Sequence, residues 1–195
     1  MKELLKRTFD LVCVFFATIV FSPLFVLICI AIKLEDGGSI IFRQERIGFR
    51  GKPFMLYKFR SMRMDAEQGG QPQLWAGEED DRMTRVGGFI RKHHLDELPQ
   101  FWNILKGDMS FVGYRPERKY FIDKIMEKNP DYARLYSMRP GVFSNATLYN
   151  GYTDTMEKML RRLEMDLEYL ENNNIWIDIV IIFKTGMSIL TGKKF

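Results

Sequence analysis

The chain has 195 residues, with 29 Lys and Arg against 25 Asp and Glu, for a net charge of +4. That length suits one domain, and the positive balance fits anionic partners such as lipid headgroups or phosphorylated substrates. Nucleic acid is the weakest of the anionic candidates, because the chain has no zinc-ligand spacing, RNP-like sequence or basic helix continued by zipper heptads.

Residues 11–32, LVCVFFATIVFSPLFVLICIAI, carry no charge. As a helix the run would be ~33 Å long, enough to cross a bilayer once. Pro23 removes a helix hydrogen bond and predicts a kink, and the Ser22 hydroxyl can satisfy backbone that lipid would not. Lys2, Lys6 and Arg7 precede the run; Lys33, Arg43, Arg46, Arg50 and Lys52 follow it. Positive charge stays on the cytoplasmic side, so a segment bent at Ser22 and Pro23, entering and leaving by one face, satisfies both flanks. A straight span strands one of them. A signal peptide fits poorly, since the apolar region is too long and lacks a small-residue cleavage site. A buried core helix rarely spends so many uncharged residues in succession. Cys13 and Cys29 both lie in this run and read as small hydrophobes in a reducing compartment.

Beyond the Gly37-Gly38 turn, SIIFRQ and PFMLYKF read as two short strands joined by GFRGKP. GGQPQLWAGEEDDR (69–82) reads as a loop able to close over a site. Residues 84–94 and 95–106 read as short helices, and 116–128 and 153–173 as amphipathic ones. In the last, Met156, Leu160, Leu163, Leu167 and Leu170 recur at helical spacing, as core positions do. The tail IWIDIVIIFKTGMSIL (175–190) is apolar but contains Asp178 and Lys184. It reads either as an interfacial helix with Trp176 at headgroup level or as a buried C-terminal helix. The fold expected is α+β: a helix-dominated monotopic membrane protein with a re-entrant N-terminal helix (1–35), interfacial amphipathic helices and a small β element. Residues 36–195 form the catalytic domain, packed on the cytoplasmic membrane face.

Chemistry concentrates between Arg82 and Arg115. Asp96 and Glu97 are adjacent at the start of a helix whose Pro99 is tolerable only in the first turn. Neighbouring helical residues diverge by about 100°, so the two carboxylates have divided roles. One can attack phosphorus as a carboxylate nucleophile; the other can hold a hard divalent cation. The plain alternative is that both cap a helix. Lys58, Arg60, Arg91, Arg115 and Arg139 surround the pair in sequence, and the arginine fork matches phosphate oxygens two at a time. His93 and His94 lack metal-ligand spacing and read as structural or peripheral. Asp, Glu and several arginines beside a membrane describe a site for a polyanionic substrate and its metal.

Ser22-Pro23 within an N-terminal apolar helix, KFRSM, LDELPQFWNILKGDMSFVG-x-RPE and RPG together resemble the bacterial sugar transferases, the small monotopic phosphoglycosyl transferases. The resemblance runs from about Lys2 to Leu190. It implies transfer of a phospho-sugar from a UDP-sugar to polyprenyl (undecaprenyl) phosphate, releasing UMP, with Mg²⁺. The expected place is the cytoplasmic face of the bacterial inner membrane, among membrane lipids, at the first membrane step of glycoconjugate assembly, with downstream glycosyltransferases as partners. By the same resemblance Asp96 carries the covalent phospho-sugar, Glu97 binds Mg²⁺, and Arg91 and Arg115 hold phosphate, joined by Lys58 and Arg139. Ser22-Pro23 resembles the break that makes the membrane helix re-entrant.

The chain departs from the family pattern twice. Tyr114 stands where many members carry proline, and GVFSNATLYNGYTDTM follows where many carry a Trp-Ala and Gly-Arg segment, so sugar or nucleotide recognition is expected to differ here, with the 69–82 loop and 143–152 as its expected determinants. Longer members carry further transmembrane helices upstream, so this chain resembles the minimal catalytic unit. The alternative from another class is a non-catalytic, membrane-bound sugar-nucleotide scaffold, signalled by lost acids or arginines; the chain keeps them.

Overall fold

The uncharged N-terminal run folds as α1 (Lys2–Asp36), one helix with Pro23 inside it. The computed structural model describes residues 2–66, 80–150, 153 and 155–191. Pro23 leaves the Ile19 carbonyl without its usual donor, and the Ser22 hydroxyl donates to that oxygen at 2.9 Å. The helix is long and apolar enough to cross a membrane. Asp10, Val14, Ile28 and Ile32 are buried on one stripe at helical spacing. On that stripe Phe21 also meets Phe101, and Phe25 meets Phe59. The opposite face exposes Phe15, Phe16, Ile19, Val20, Leu27 and Ile30.

Both ends of α1 are tied to the rest of the chain. Lys6 donates to Asp178 at 2.6 Å, and Arg7 donates to the Ile104 and Leu105 carbonyls. At the other end Glu35 accepts from the Arg85 and Val86 amides, and Asp36 pairs with Arg60. Asp10, 1% exposed, accepts from the Ser110 hydroxyl at 2.9 Å and the Phe111 amide at 3.1 Å, with the Lys6 ammonium 3.6 Å away.

The expected hairpin is present as β1 (Ile41–Ile47) antiparallel to β2 (Pro53–Phe59), with Arg43 opposite Tyr57 and Phe42 opposite Lys58. Thr84 accepts from the Gly87 amide and starts α2 (Arg85–Lys92). A 3₁₀ turn at Leu95–Glu97 follows, and then α3 (Gln100–Lys106), with Pro99 at its N-cap and Gly107 in the left-handed region (φ 87) at its end. The helix expected over 95–106 is therefore split, with the acid pair on the tighter segment. Asn103, fully buried, accepts from the Tyr57 amide and donates to the Met55 carbonyl, fixing α3 against β2.

A second, parallel pair was not visible in the sequence: β3 (Ser110–Val112) beside β4 (Gly141–Phe143). Three residues are too few to show periodicity, and the glycine of RPG is explained only by the pairing. A Cβ on Gly141 would lie 2.1 Å from the Gly113 nitrogen. Between these strands run α4 (Lys119–Lys128) and a 3₁₀ stretch at Pro130–Ser137. After them come α5 (Asn145–Asn150), α6 (Met156–Asn172) and α7 (Ile175–Thr191).

Three apolar clusters hold this together. One joins Val14, Ile104, Phe111, Val142 and Ile181 beneath the N-terminal half of α1. Another joins Ile28, Ile32, Phe59, Ile90 and Leu98 beneath its C-terminal half. The third, Tyr114, Ile122, Ile125, Leu135 and Leu163, lies among α4, the 3₁₀ stretch and α6.

The stripe expected on α6 is corrected. Its buried face is Met159, Arg162, Leu163, Asp166 and Tyr169, while Met156, Leu160 and Leu167 are partly buried against it. Charged residues occupy core positions there because each is paired. On α7, Asp178, Ile181 and Thr185 are buried while Trp176 and Phe183 are exposed. One face packs, as the buried-helix reading expects, and the other stays exposed. The loop expected at 69–82 lies outside the described residues up to 79; Asp80 pairs with Arg82 beyond it.

Candidate active site

The acid pair sits on the 3₁₀ turn between α2 and α3, and Asp96 lines a cavity of about 520 Å³ whose wall includes β1, the end of β2 and the start of α4. The turn is entered through His94, whose φ of 54 is left-handed. Asp96 is 4% exposed and Glu97 7%. Two buried carboxylates side by side repel each other and are poorly solvated, so the site must supply cations. Lys58 donates to Glu97 Oε1 at 2.7 Å and Arg115 to the same oxygen at 2.8 Å. Lys58 also stands 3.6 Å from Asp96 Oδ2.

These environments separate the two acids. Burial pushes the Asp96 carboxyl up, the Lys58 charge pulls it back, and the Glu97 charge adds to the rise; it stays above the usual range. Burial would also push Glu97 up, but the charges of Arg115, Lys58 and His94 outweigh it and hold Glu97 well below the ordinary carboxylate range. One adjacent pair thus contains a firmly ionised acid and a poorly solvated, more basic one.

Of the sequence-predicted residues, the structure brings Lys58, Arg91, Asp96 and Arg115 to the cavity wall, with Glu97 bonded to two of them. Arg60 also lines the cavity, but its guanidinium is taken up by Asp36 and the Ser39 carbonyl. It closes the junction between α1 and the hairpin. Arg139 is elsewhere: it donates to the Gly107 carbonyl and to Glu3 and stacks over Phe49. The RPG arginine therefore supports the start of α1 rather than the cavity. Ser22 and Pro23 lie on α1; Ser22 borders an apolar groove described below.

His94 is corrected from peripheral to site-adjacent. It lines a small cavity with Glu97, Arg115, Ser144, Thr147 and Thr185. Burial lowers its imidazole, partly offset by Glu97 and Asp96. Thr147, within the segment 143–152, also lines that cavity; residues 151 and 152 lie outside the described set.

Sequence reasoning missed the layer behind the arginines. Glu117, the acid of RPE, pairs with Arg46 at 2.9 Å and with Arg162 at 2.7 Å. Asp166 accepts from the Ser144 hydroxyl at 3.0 Å. The available signal was Arg162 and Asp166 four apart on the apolar face of an amphipathic helix, where unpaired charge has no place.

For a divalent metal, the donors at hand are the carboxylates of Asp96 and Glu97. Among the described residues no group of three or more His, Cys, Asp or Glu side chains could hold an ion. Magnesium keeps several waters and takes ligands from substrate phosphates, needing one or two protein carboxylates. An ionised Glu97 next to Asp96 fits that demand.

The acid pair is thus buried among cations beside a cavity whose wall mixes apolar and basic side chains. Residues 1–192 match the family model of the bacterial sugar transferases, and the chain belongs to that family. It is 42% identical over 188 residues to the UDP-N-acetylgalactosamine-undecaprenyl-phosphate N-acetylgalactosaminephosphotransferase of Aeromonas hydrophila, covering 96% of this chain and 44% of that protein. It is 40% identical over 191 residues to the UDP-glucose:undecaprenyl-phosphate glucose-1-phosphate transferase of Caulobacter vibrioides, covering 97% and 71%. The protein of the same name from Escherichia coli is 40% identical over 185 residues, covering 94% of this chain and 39% of its own length. The chain thus spans less than half of two of these three relatives.

Proposed function

We propose that the chain moves a phospho-sugar from a UDP-sugar to polyprenyl phosphate, releasing UMP. The observation that carries this reading is the buried Asp96–Glu97 pair held by Lys58 and Arg115, with Asp96 on the wall of an arginine-lined cavity.

The reaction runs in two displacements. An Asp96 carboxylate oxygen attacks the phosphorus that bears the sugar; the bond to the bridging oxygen breaks, and UMP leaves with that electron pair. A phosphate oxygen of the polyprenyl acceptor then attacks the same phosphorus. The aspartyl oxygen–phosphorus bond breaks, the carboxylate is restored, and polyprenyl diphospho-sugar departs. Desolvation makes Asp96 the more basic and more nucleophilic acid, while Lys58 keeps it ionised. Arg91 and Arg115 face the charge that builds on the transferring group. Glu97, ionised throughout, would hold Mg²⁺, which supplies charge neutralisation on the phosphate oxygens.

The membrane placement follows from α1. The same domain grips it at Lys6 and Arg7 and again at Glu35 and Asp36, which supports a monotopic helix with both ends on the cytoplasmic face. The exposed apolar sides of α1 and α7 would then meet membrane lipids. The identity of the sugar is open, since relatives of near-equal identity are named for different sugars.

Incubating the purified chain with UDP-sugars, with and without polyprenyl phosphate, tests the reading. UMP accumulation only with the lipid, plus exchange of labelled UMP into UDP-sugar without it, is the expected result. Sustained UMP release into water, or none with any sugar, overturns it. Cysteine labelling at Lys2 and Glu35 should find both on the cytoplasmic side; opposite sides would sink the re-entrant placement.

A further inference from the structure

A second cavity, of about 560 Å³, runs between α1, β2 and α3. Its walls are Phe21, Phe25, Val26, Leu98, Phe101 and Trp102, with Thr18 and Ser22 at the α1 side. A sugar nucleotide, polar along its length, gains nothing from such a trench. Two residues, Ile41 and Arg43, line both this groove and the catalytic cavity. Leu98 and Pro99 in its wall directly follow the acid pair in the chain, so groove and nucleophile share one turn.

Arg43 is the polar residue at that junction. It lies over the Tyr57 ring at 5.8 Å and has no carboxylate partner among the described residues. Other cations of the cavity are engaged: Lys58 and Arg115 by Glu97, Arg60 by Asp36, Arg46 by Glu117. An apolar trench that begins on the membrane helix and ends at an unpaired guanidinium has the outline of an amphiphile with an anionic head.

We infer that this groove seats the first isoprenoid units of the polyprenyl phosphate acceptor, and that Arg43 receives its phosphate where groove and catalytic cavity meet. The inference rests on the proposed transfer reaction and adds the site of its second substrate. Tail and head are then sorted along one track: the tail stays against α1 in continuity with lipid, and the phosphate is delivered towards Asp96 without crossing apolar wall.

The test separates the two half-reactions in full-length protein held in lipid nanodiscs. Val26 is exposed on α1 and outside the core clusters, so Val26→Trp fills the groove without opening a cavity elsewhere. It should leave UMP exchange into UDP-sugar unchanged and raise the acceptor KM about tenfold, equivalent to roughly 1.4 kcal/mol. It should also erase the preference for a long-chain acceptor over one with a single isoprenoid unit. Arg43→Gln should raise the acceptor KM by more than it raises that for UDP-sugar. Unchanged acceptor KM and chain-length preference in both variants, with exchange intact, would overturn the assignment. Absence of exchange in the wild-type chain would instead strike the proposed function. In that event a diazirine-bearing polyprenyl phosphate still decides occupancy of the groove. Adducts on Val26, Phe101 or Trp102 that excess polyprenyl phosphate suppresses support it. Adducts spread over the outer faces of α1 and α7, or suppressed equally by phosphatidylglycerol, mark a bilayer lipid instead and overturn it.

Discussion

Lys58 divides its charge unequally between two neighbours, donating to Glu97 over 2.7 Å while standing 3.6 Å from Asp96. The closer acid is held ionised by its two cations, and the farther one is left poorly solvated, as a nucleophile would need to be. Asp96→Asn should therefore abolish both UMP exchange and the trapped adduct, and exchange that persisted would mean the nucleophile is elsewhere. Lys58→Met removes the charge that pulls Asp96 down. The acid limb of the pH–rate profile should then move to higher pH, because ionised nucleophile appears later in a titration.

Glu97→Gln keeps the shape and removes the charge that binds Lys58 and Arg115. The expected outcome is a raised Mg²⁺ requirement together with a fall in rate of two or more orders of magnitude, on the scale of losing a preorganised electrostatic group. An unaltered Mg²⁺ titration would remove Glu97 from the metal site.

Asp10 is buried, accepts from Ser110 and Phe111, and pairs with Lys6 at 3.6 Å. Asp10→Ala strands a buried hydroxyl and a buried amide at the contact between α1 and β3. The loss of stability should be on the order of 3 kcal/mol, read as a lower midpoint of thermal unfolding in detergent. A midpoint within a degree of wild type would mean that water replaces the carboxylate.

Burial pushes Asp166 up to about 7 from the ordinary 3.8, with Arg162 and the Ser144 hydroxyl resisting the rise. A folded state that holds its proton more tightly than the unfolded chain is stabilised below pH 4, and that contribution is lost as pH rises through 7. Asp166→Asn, which is neutral throughout, should flatten the stability profile between those limits. A wild-type profile with no decline across that window would contradict the assignment.

The hairpin, the helices at α2 and α6 and the acid pair with its arginines were legible because each leaves a local mark: alternation, helical spacing, or a run of motif residues. The parts that were not legible depend on partners distant in sequence. Arg60 and Arg139 look alike on paper, as basic residues of the short runs KFRSM and RPG. Only packing shows that one is spent on Asp36 and the other on Glu3 and Phe49. Glu117 was hidden for the same reason, since nothing near it in the chain announces the Arg46 and Arg162 that satisfy it, and for Asp166 the spacing to Arg162 hints at burial but not at Ser144. His94 was misjudged because backbone handedness has no signature in side-chain type.

Glu35 caps the helix that runs into the acid pair, and Asp36 grips the arginine just beyond Lys58's strand. The anchor and the chemistry are therefore parts of one machine with no joint between them. A fragment beginning at residue 37 would not be a soluble version of the protein. It would lack, at a stroke, the carboxylate that caps α2 and the partner that holds Arg60 at the end of the hairpin.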